Sequence, residues 1–209
     1  VGECNVPPSI GDTGNQFASL PCSTETTKQY DAVSSGCGPL ELIENVVRKA
    51  SKRRDNGSPS ALDVARYLIH LAACENEPEY LTHLRIHKLL YYVQGWSLAL
   101  RGKAMFQDRI EAWAHGPVVP SVYPIFADFG DRPIAPENML IPRGLSDDDK
   151  ELIESVWESY KAYSSSSLRA MTHKEAPWKD ARGKCAPADR CTTEITKTAL
   201  KRYFTQFAK

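Results

Sequence analysis

The sequence predicts a mainly α-helical fold, a single compact multi-helix domain behind an irregular N-terminal tail. Between Ser58 and the C-terminus, apolar residues recur at three- and four-residue steps in one segment after another, the period of a helix that buries one face. Ahead of several of these segments stands a residue able to cap a helix: Ser60, Thr82, Ser146 or a serine of 164–167. Strand-like alternation is confined to 105–114, where Ile110, Ala112 and Ala114 alternate with Glu111, Trp113 and His115. One short extended segment is expected there.

Residues 1–38 read as a tail. Gly, Pro, Ser and Thr fill 17 of those 38 positions, and such a segment buries too little apolar surface to offset its ordering entropy. Residues 39–57 read as an extra helix and linker. Leu40, Ile43, Val47 and Ala50 follow helical spacing, with acids early and bases late as the helix dipole favours. The domain proper then spans 58–209. Ser60 with Asp63 resembles a capping box, and Ala61, Ala65, Leu68, Ile69 and Ala72 form a narrow stripe suited to close helix approach.

Thr82 opens the central helix, in which Ile86, Leu89, Leu90, Tyr92, Val93, Trp96 and Leu100 make a stripe broad enough to be covered on more than one side. Gly102 ends it. The Gly116-Pro117 step forces a turn, and Pro117 is expected at the first position of a new helix of about three turns. Pro124 requires that helix either to start near Ser121 or to kink. Residues 130–145, with three prolines and two glycines, read as a surface connection. Ser146 and Asp149 form a second capping-box pair ahead of Leu152, Ile153, Val156, Trp157 and Tyr160. A short helix over Leu168–His173, a turn at 176–183 and a last helix from Thr193 complete the chain.

Composition excludes several classes. At 209 residues the chain can build one good core. Lys plus Arg (26) equals Asp plus Glu (26), so no net field draws it to nucleic acid or anionic lipid. No run of eighteen apolar residues and no secretory signal are visible, so a cytoplasmic protein is expected. None of the six cysteines forms a C-x-x-C pair. Reduced thiols are expected, with a Cys185–Cys191 disulfide as the alternative if that loop doubles back. Zinc is not expected and no motif implies a cofactor. His83 and His87 stand four apart, the spacing for a shared metal, but lack a third ligand beyond a distant His70; exposed or half-buried helix positions are the favoured reading. Arg85, Lys88 and Gln94 are read as a solvated flank of the same helix, with the rim of a binding site as the alternative.

Three separated motifs then narrow the reading: His87 to Trp96 (HKLLYYVQGW), Glu111 to Tyr123 (EAWAHGPVVPSVY) and Thr172 to Trp178 (THKEAPW). In order and spacing they resemble the Panacea domain family, the SocA-like antitoxin domain also seen in phage-associated GepA-like proteins. The resemblance covers roughly Ser60 to Phe207. It implies an antitoxin that binds a cognate toxin, encoded next to it, and blocks it; some relatives act instead as adaptors presenting the toxin to a protease. The candidate structural or interaction residues within the motifs are Lys88, Tyr91, Gln94, Trp96, Glu111, Trp113, His115, Gly116, Pro117, His173, Glu175, Pro177 and Trp178.

Two other functions are weighed beside it. Glu111, His115, His173 and Glu175 could converge as the acid–base cluster of a small hydrolase or transferase. No nucleophile elbow, metal motif or glycine-rich phosphate loop accompanies them, so no catalytic residue is assigned. The structural alternative has His173 at a helix C-terminus, with Trp113 and Trp178 plugging the core around the Gly116-Pro117 turn. A DNA-binding regulator would use Arg48, Lys49, Lys52, Arg53 and Arg54 on phosphates. No aromatic residue or second recognition helix supports those charges, and a solvated helix end is the favoured reading.

Overall fold

The computed structural model describes residues 58–75, 81–134, 142, 144–186 and 188–208. The tail 1–38, the helix expected over 39–54 and the basic run 48–54 lie outside them. The described elements are α1 (Ala61–Ala73), α2 (His83–Leu100), β1 (Glu111–Trp113), β2 (Gly116–Val118), α3 (Tyr123–Phe126) with a 3-10 turn at Ala127–Phe129, α4 (Asp147–Tyr160), α5 (Ser165–Lys174), α6 (Ala176–Arg182) and α7 (Lys197–Thr205). The architecture is mainly α, as the sequence predicts. Among the described residues no helix is long and apolar enough to cross a membrane.

Helix α2 is the axis. Thr82 caps it, its hydroxyl accepting from the Arg85 N–H, and α7, α4, α5, β2 and α1 all pack against it. From His83 to Leu98 every residue except Leu84 is buried. The tightest approach is to α7: a Cβ on Gly95 would sit 2.3 Å from the Phe204 ring, so only glycine lets the two helices close. Phe204 meets Trp96, Tyr91 and Tyr92 edge-on at centroid distances of 5.3, 5.6 and 6.1 Å, the geometry that aromatic quadrupoles favour. Trp96 donates its indole N–H to the Tyr160 hydroxyl at 3.1 Å, and Tyr92 stacks on Tyr160 at 4.1 Å.

The capping boxes at Ser60/Asp63 and Ser146/Asp149 form as read, and all five small-stripe residues of α1 are buried. Gly102 adopts φ +70° beyond α2. The extended segment is β1, paired antiparallel with β2 in the register Glu111–Val118, Ala112–Pro117, Trp113–Gly116.

Several expectations need correction. Pro117 lies in β2, not at a helix start, because Gly116 at φ +100° folds the chain back onto β1. The helix beyond it is one turn plus a 3-10 turn, with Pro124 in its first turn where a missing N–H is tolerated. The expected turn at 176–183 is helix α6, which Pro177 opens in the same way. The last helix starts after Thr196, because the stretch before it is taken by β1: Ala112 N–H donates to Thr193 O at 2.9 Å and Ile195 N–H to Ile110 O at 2.8 Å. Cys185 and Cys191 are joined as a disulfide rather than kept as thiols, the loop between them doubling back as that pairing requires.

Candidate functional site

The second motif bends at Gly116, and the corner rests on α2. A Cβ at Gly116 would lie 2.6 Å from Lys88 Cε and 3.1 Å from Thr172 Oγ1, so the lysine side chain runs directly under the glycine. Lys88 is 1% exposed and donates from Nζ to Pro117 O at 3.1 Å. Burial, with the positive charge of Arg169, brings its ammonium down to about 7. On the residue just before it, His87, Nδ1 accepts from Val119 N–H at 3.3 Å, and Nε2 lies 3.0 Å from Nε2 of His83, one turn earlier. Burial and the Lys88 charge hold both imidazoles neutral, His87 well below the usual range. A neutral His87 that accepts at Nδ1 carries its proton on Nε2, donates to His83, and leaves the His83 proton on Nδ1.

His83, His87, Arg85, Lys88 and Gln94 are therefore interior groups, not the exposed or half-buried histidines and solvated flank expected, because α2 is covered all round. Gln94 clamps the chain after the helix: its amide donates to Phe106 O at 2.9 Å while its carbonyl accepts from the N–H groups of Met105 and Phe106. Arg85 donates to Lys161 O and lies over the Trp157 ring.

The four groups of the expected acid–base cluster do not meet at one point. Glu175 turns inward and accepts from Tyr91 Oη at 2.6 Å and Tyr92 Oη at 2.9 Å; burial raises its carboxyl to about 7. Glu111 instead accepts the Trp113 indole N–H at 2.7 Å and pairs with Arg109 at 2.6 Å. His173 stacks face to face on Trp178 at 4.0 Å, and burial, then the charges of Arg169, Lys88 and Arg182, bring it down to about 4. His115 is exposed on the hairpin turn. Trp178 donates to Trp113 O at 3.1 Å, so it holds the hairpin, but both tryptophans are half-buried at the edge of the core rather than plugging it. Among the described residues no three of His, Cys, Asp and Glu gather to hold a metal ion.

Outside the corner opens a cavity of about 740 Å³, lined in part by His83, His87, Trp113, His115, Val118, Tyr123, Asp131, Arg169 and Arg190. Trp113 and Tyr123 lie 4.7 Å apart, Tyr123 packs on His83 at 4.6 Å, and the Arg190 guanidinium sits 5.2 Å over the Trp113 ring. Both rings are half-buried, and both arginines are exposed. The arrangement offers stacking surface and fixed cations but no activated nucleophile.

Sequence reasoning missed Arg169, Arg182 and Arg190. Arg182 is buried; it donates to the carbonyls of Ala112, Asp189 and Ala186 and lies 5.5 Å over Trp178. Nothing in the spacing of these arginines separates them from solvated ones. Tyr123 had a signal, being the last residue of the second motif.

A family model described as antitoxin SocA-like, Panacea domain, matches residues 86–179. Antitoxin SocA of Caulobacter vibrioides (strain NA1000 / CB15N) is 30% identical over 136 residues, 60% of this chain and 71% of that relative. No solved structure matches the chain. The matched span takes in most of α2, the Gly116 corner and the helices up to Trp178, while His83, Ala188 and Arg190 of the cavity wall lie outside it; the chain belongs to the SocA-like antitoxin family with its Panacea domain.

Proposed function

We propose that the protein neutralises a partner toxin by binding it directly, occluding the toxin's working face with a pre-formed surface. Membership of an antitoxin family supports the class of function. The observation that supports direct binding is the open cavity, in which Trp113 and Tyr123 stand half-buried beside two exposed arginines. Aromatic and arginine side chains dominate binding hot spots. The corner behind them is braced by buried hydrogen bonds, so the surface loses little entropy on binding. The toxin is expected to be made in the cytoplasm from a neighbouring gene.

Co-expression tests the reading. The product of each adjacent gene is induced with and without this chain, growth is followed, and the pair is co-purified. A neighbour whose toxicity is relieved and which co-purifies supports the proposal. If no neighbouring product binds and none is relieved, the proposal fails. Toxin abundance in the rescued cells separates occlusion, which leaves the toxin level unchanged, from delivery to a protease, which lowers it.

A further inference from the structure

The cavity wall also specifies the chemistry of what enters. Two exposed guanidiniums, Arg169 on α5 and Arg190 after α6, approach it from different elements, against the single carboxylate of Asp131. The histidine pair at its base adds no charge, because His87 and His83 are neutral and hydrogen-bonded to each other. The Trp113 and Tyr123 rings, 4.7 Å apart, belong to the same wall, with Arg190 over Trp113. The site therefore favours an anion carried on an apolar, stackable body.

Size and surroundings select a polypeptide. About 740 Å³ holds several side chains rather than one small anion. Apolar side chains are also exposed on α3, which carries Tyr123: Pro124 is exposed and Ile125 is 42% exposed. A nucleic acid would call for a longer track of cations, and the chain's charges balance at 26 against 26. We propose that the cavity receives an acidic, aromatic-bearing segment of the toxin, its carboxylates paired with Arg169 and Arg190 and its ring laid against Trp113 and Tyr123. This assignment rests on the antitoxin reading above and names the partner's contact chemistry.

The test uses the full chain and the toxin identified by growth rescue, titrated calorimetrically at two salt concentrations. Charge reversal at both cations, Arg169→Glu with Arg190→Glu, removes two charge-assisted contacts and is expected to weaken binding about 100-fold or more. Tyr123→Ala is expected to weaken it about 10-fold. Ala188→Trp fills the mouth from an exposed position and is expected to block entry. An acetylated Glu-Glu-Tyr-Glu-Glu peptide should quench Trp113 fluorescence and compete with toxin, whereas its lysine counterpart should do neither. Circular dichroism checks that the variants keep their helices.

Toxin affinity that stays within about twofold in the charge-reversed and Ala188→Trp variants overturns the assignment while leaving the antitoxin reading intact. So does a variant set that changes self-association, or binding to a duplex oligonucleotide, in place of toxin binding. If no toxin is neutralised at all, the functional reading fails. The peptide arm then stands alone, and failure of the acidic peptide to outbind the lysine peptide overturns the cavity assignment too.

Discussion

At the Gly116 corner there is no room for a side chain on the glycine: Lys88 passes under it, Thr172 closes the side, and the Pro117 carbonyl takes the buried ammonium. In the adjoining cavity the same hairpin leaves Trp113 half-buried with Arg190 laid over it, and His115 exposed. The corner is built mostly from motif residues, whereas the cavity's charged residues, Asp131, Arg169 and Arg190, all lie outside the three motifs. The sequence motifs therefore fall on the means of holding a surface in place. The surface itself is set by a few exposed side chains whose replacement costs the fold little.

The comparison breaks most sharply at the glycines. Gly95→Val drives a branched side chain into the Phe204 ring, and Gly116→Val adds a clash with Lys88 at a positive φ. Each is expected to destabilise the protein by about 3 kcal/mol, read as a lowered urea midpoint. A corner that tolerates Gly116→Val without loss would mean that Lys88 is not held where it is seen.

Glu175 tests the same region by pH. Its folded carboxyl titrates at about 7, above an unfolded value near 4.5. Between those values the folded state keeps a proton that the unfolded state has lost, so this group's contribution to stability falls as pH rises. Glu175→Gln removes the effect. The variant should match the wild type near pH 4.5 and exceed it by up to about 3 kcal/mol at pH 7 and above. Parallel unfolding curves for the two proteins across that window would exclude a buried, raised carboxyl.

The loop between α6 and α7 joins the two regions, since Arg182 is buried under it while Arg190, midway along it, overlies Trp113. The Cys185–Cys191 disulfide closes it over a separation of 6 residues. A loop that short limits the chain-entropy gain to about 2 kcal/mol. Urea unfolding with and without reductant should show a loss of that size, and the Cys185→Ser, Cys191→Ser double variant should show none.

The helices were largely legible because their signals are local. Ser60, Thr82, Ser146 and Ser164 cap the helices they precede, and the apolar stripes fall on the buried faces. What was not legible depends on contacts distant in sequence. Lys88, Arg85 and Gln94 read as solvated because nothing local says that their helix is covered on all sides; the carbonyls of Pro117, Lys161 and Phe106 that receive them lie 29, 76 and 12 residues away. Pro117 read as a helix start because proline favours that position, yet Gly116 and the pairing with β1 decided otherwise. The site was half legible. The motif located the hairpin, but Arg169 and Arg190 reach the cavity only through the placement of α5 and the loop after α6.

The smallest expected effect links the two regions. Arg169 is exposed, so Arg169→Ala should change stability by no more than about 0.5 kcal/mol. Its charge nevertheless reaches inward, since it helps burial lower both the Lys88 ammonium and the His173 imidazole. Removing it should therefore raise both groups from their values of about 7 and about 4, observable by NMR titration of the Lys88 Nζ and the His173 ring. Burial is the larger cause for each, so the rise should be partial. If both groups titrate unchanged in Arg169→Ala, the corner is electrostatically insulated from the cavity. If both rise, a carboxylate bound at Arg169 would act in the same direction, making Lys88 an internal reporter of occupancy.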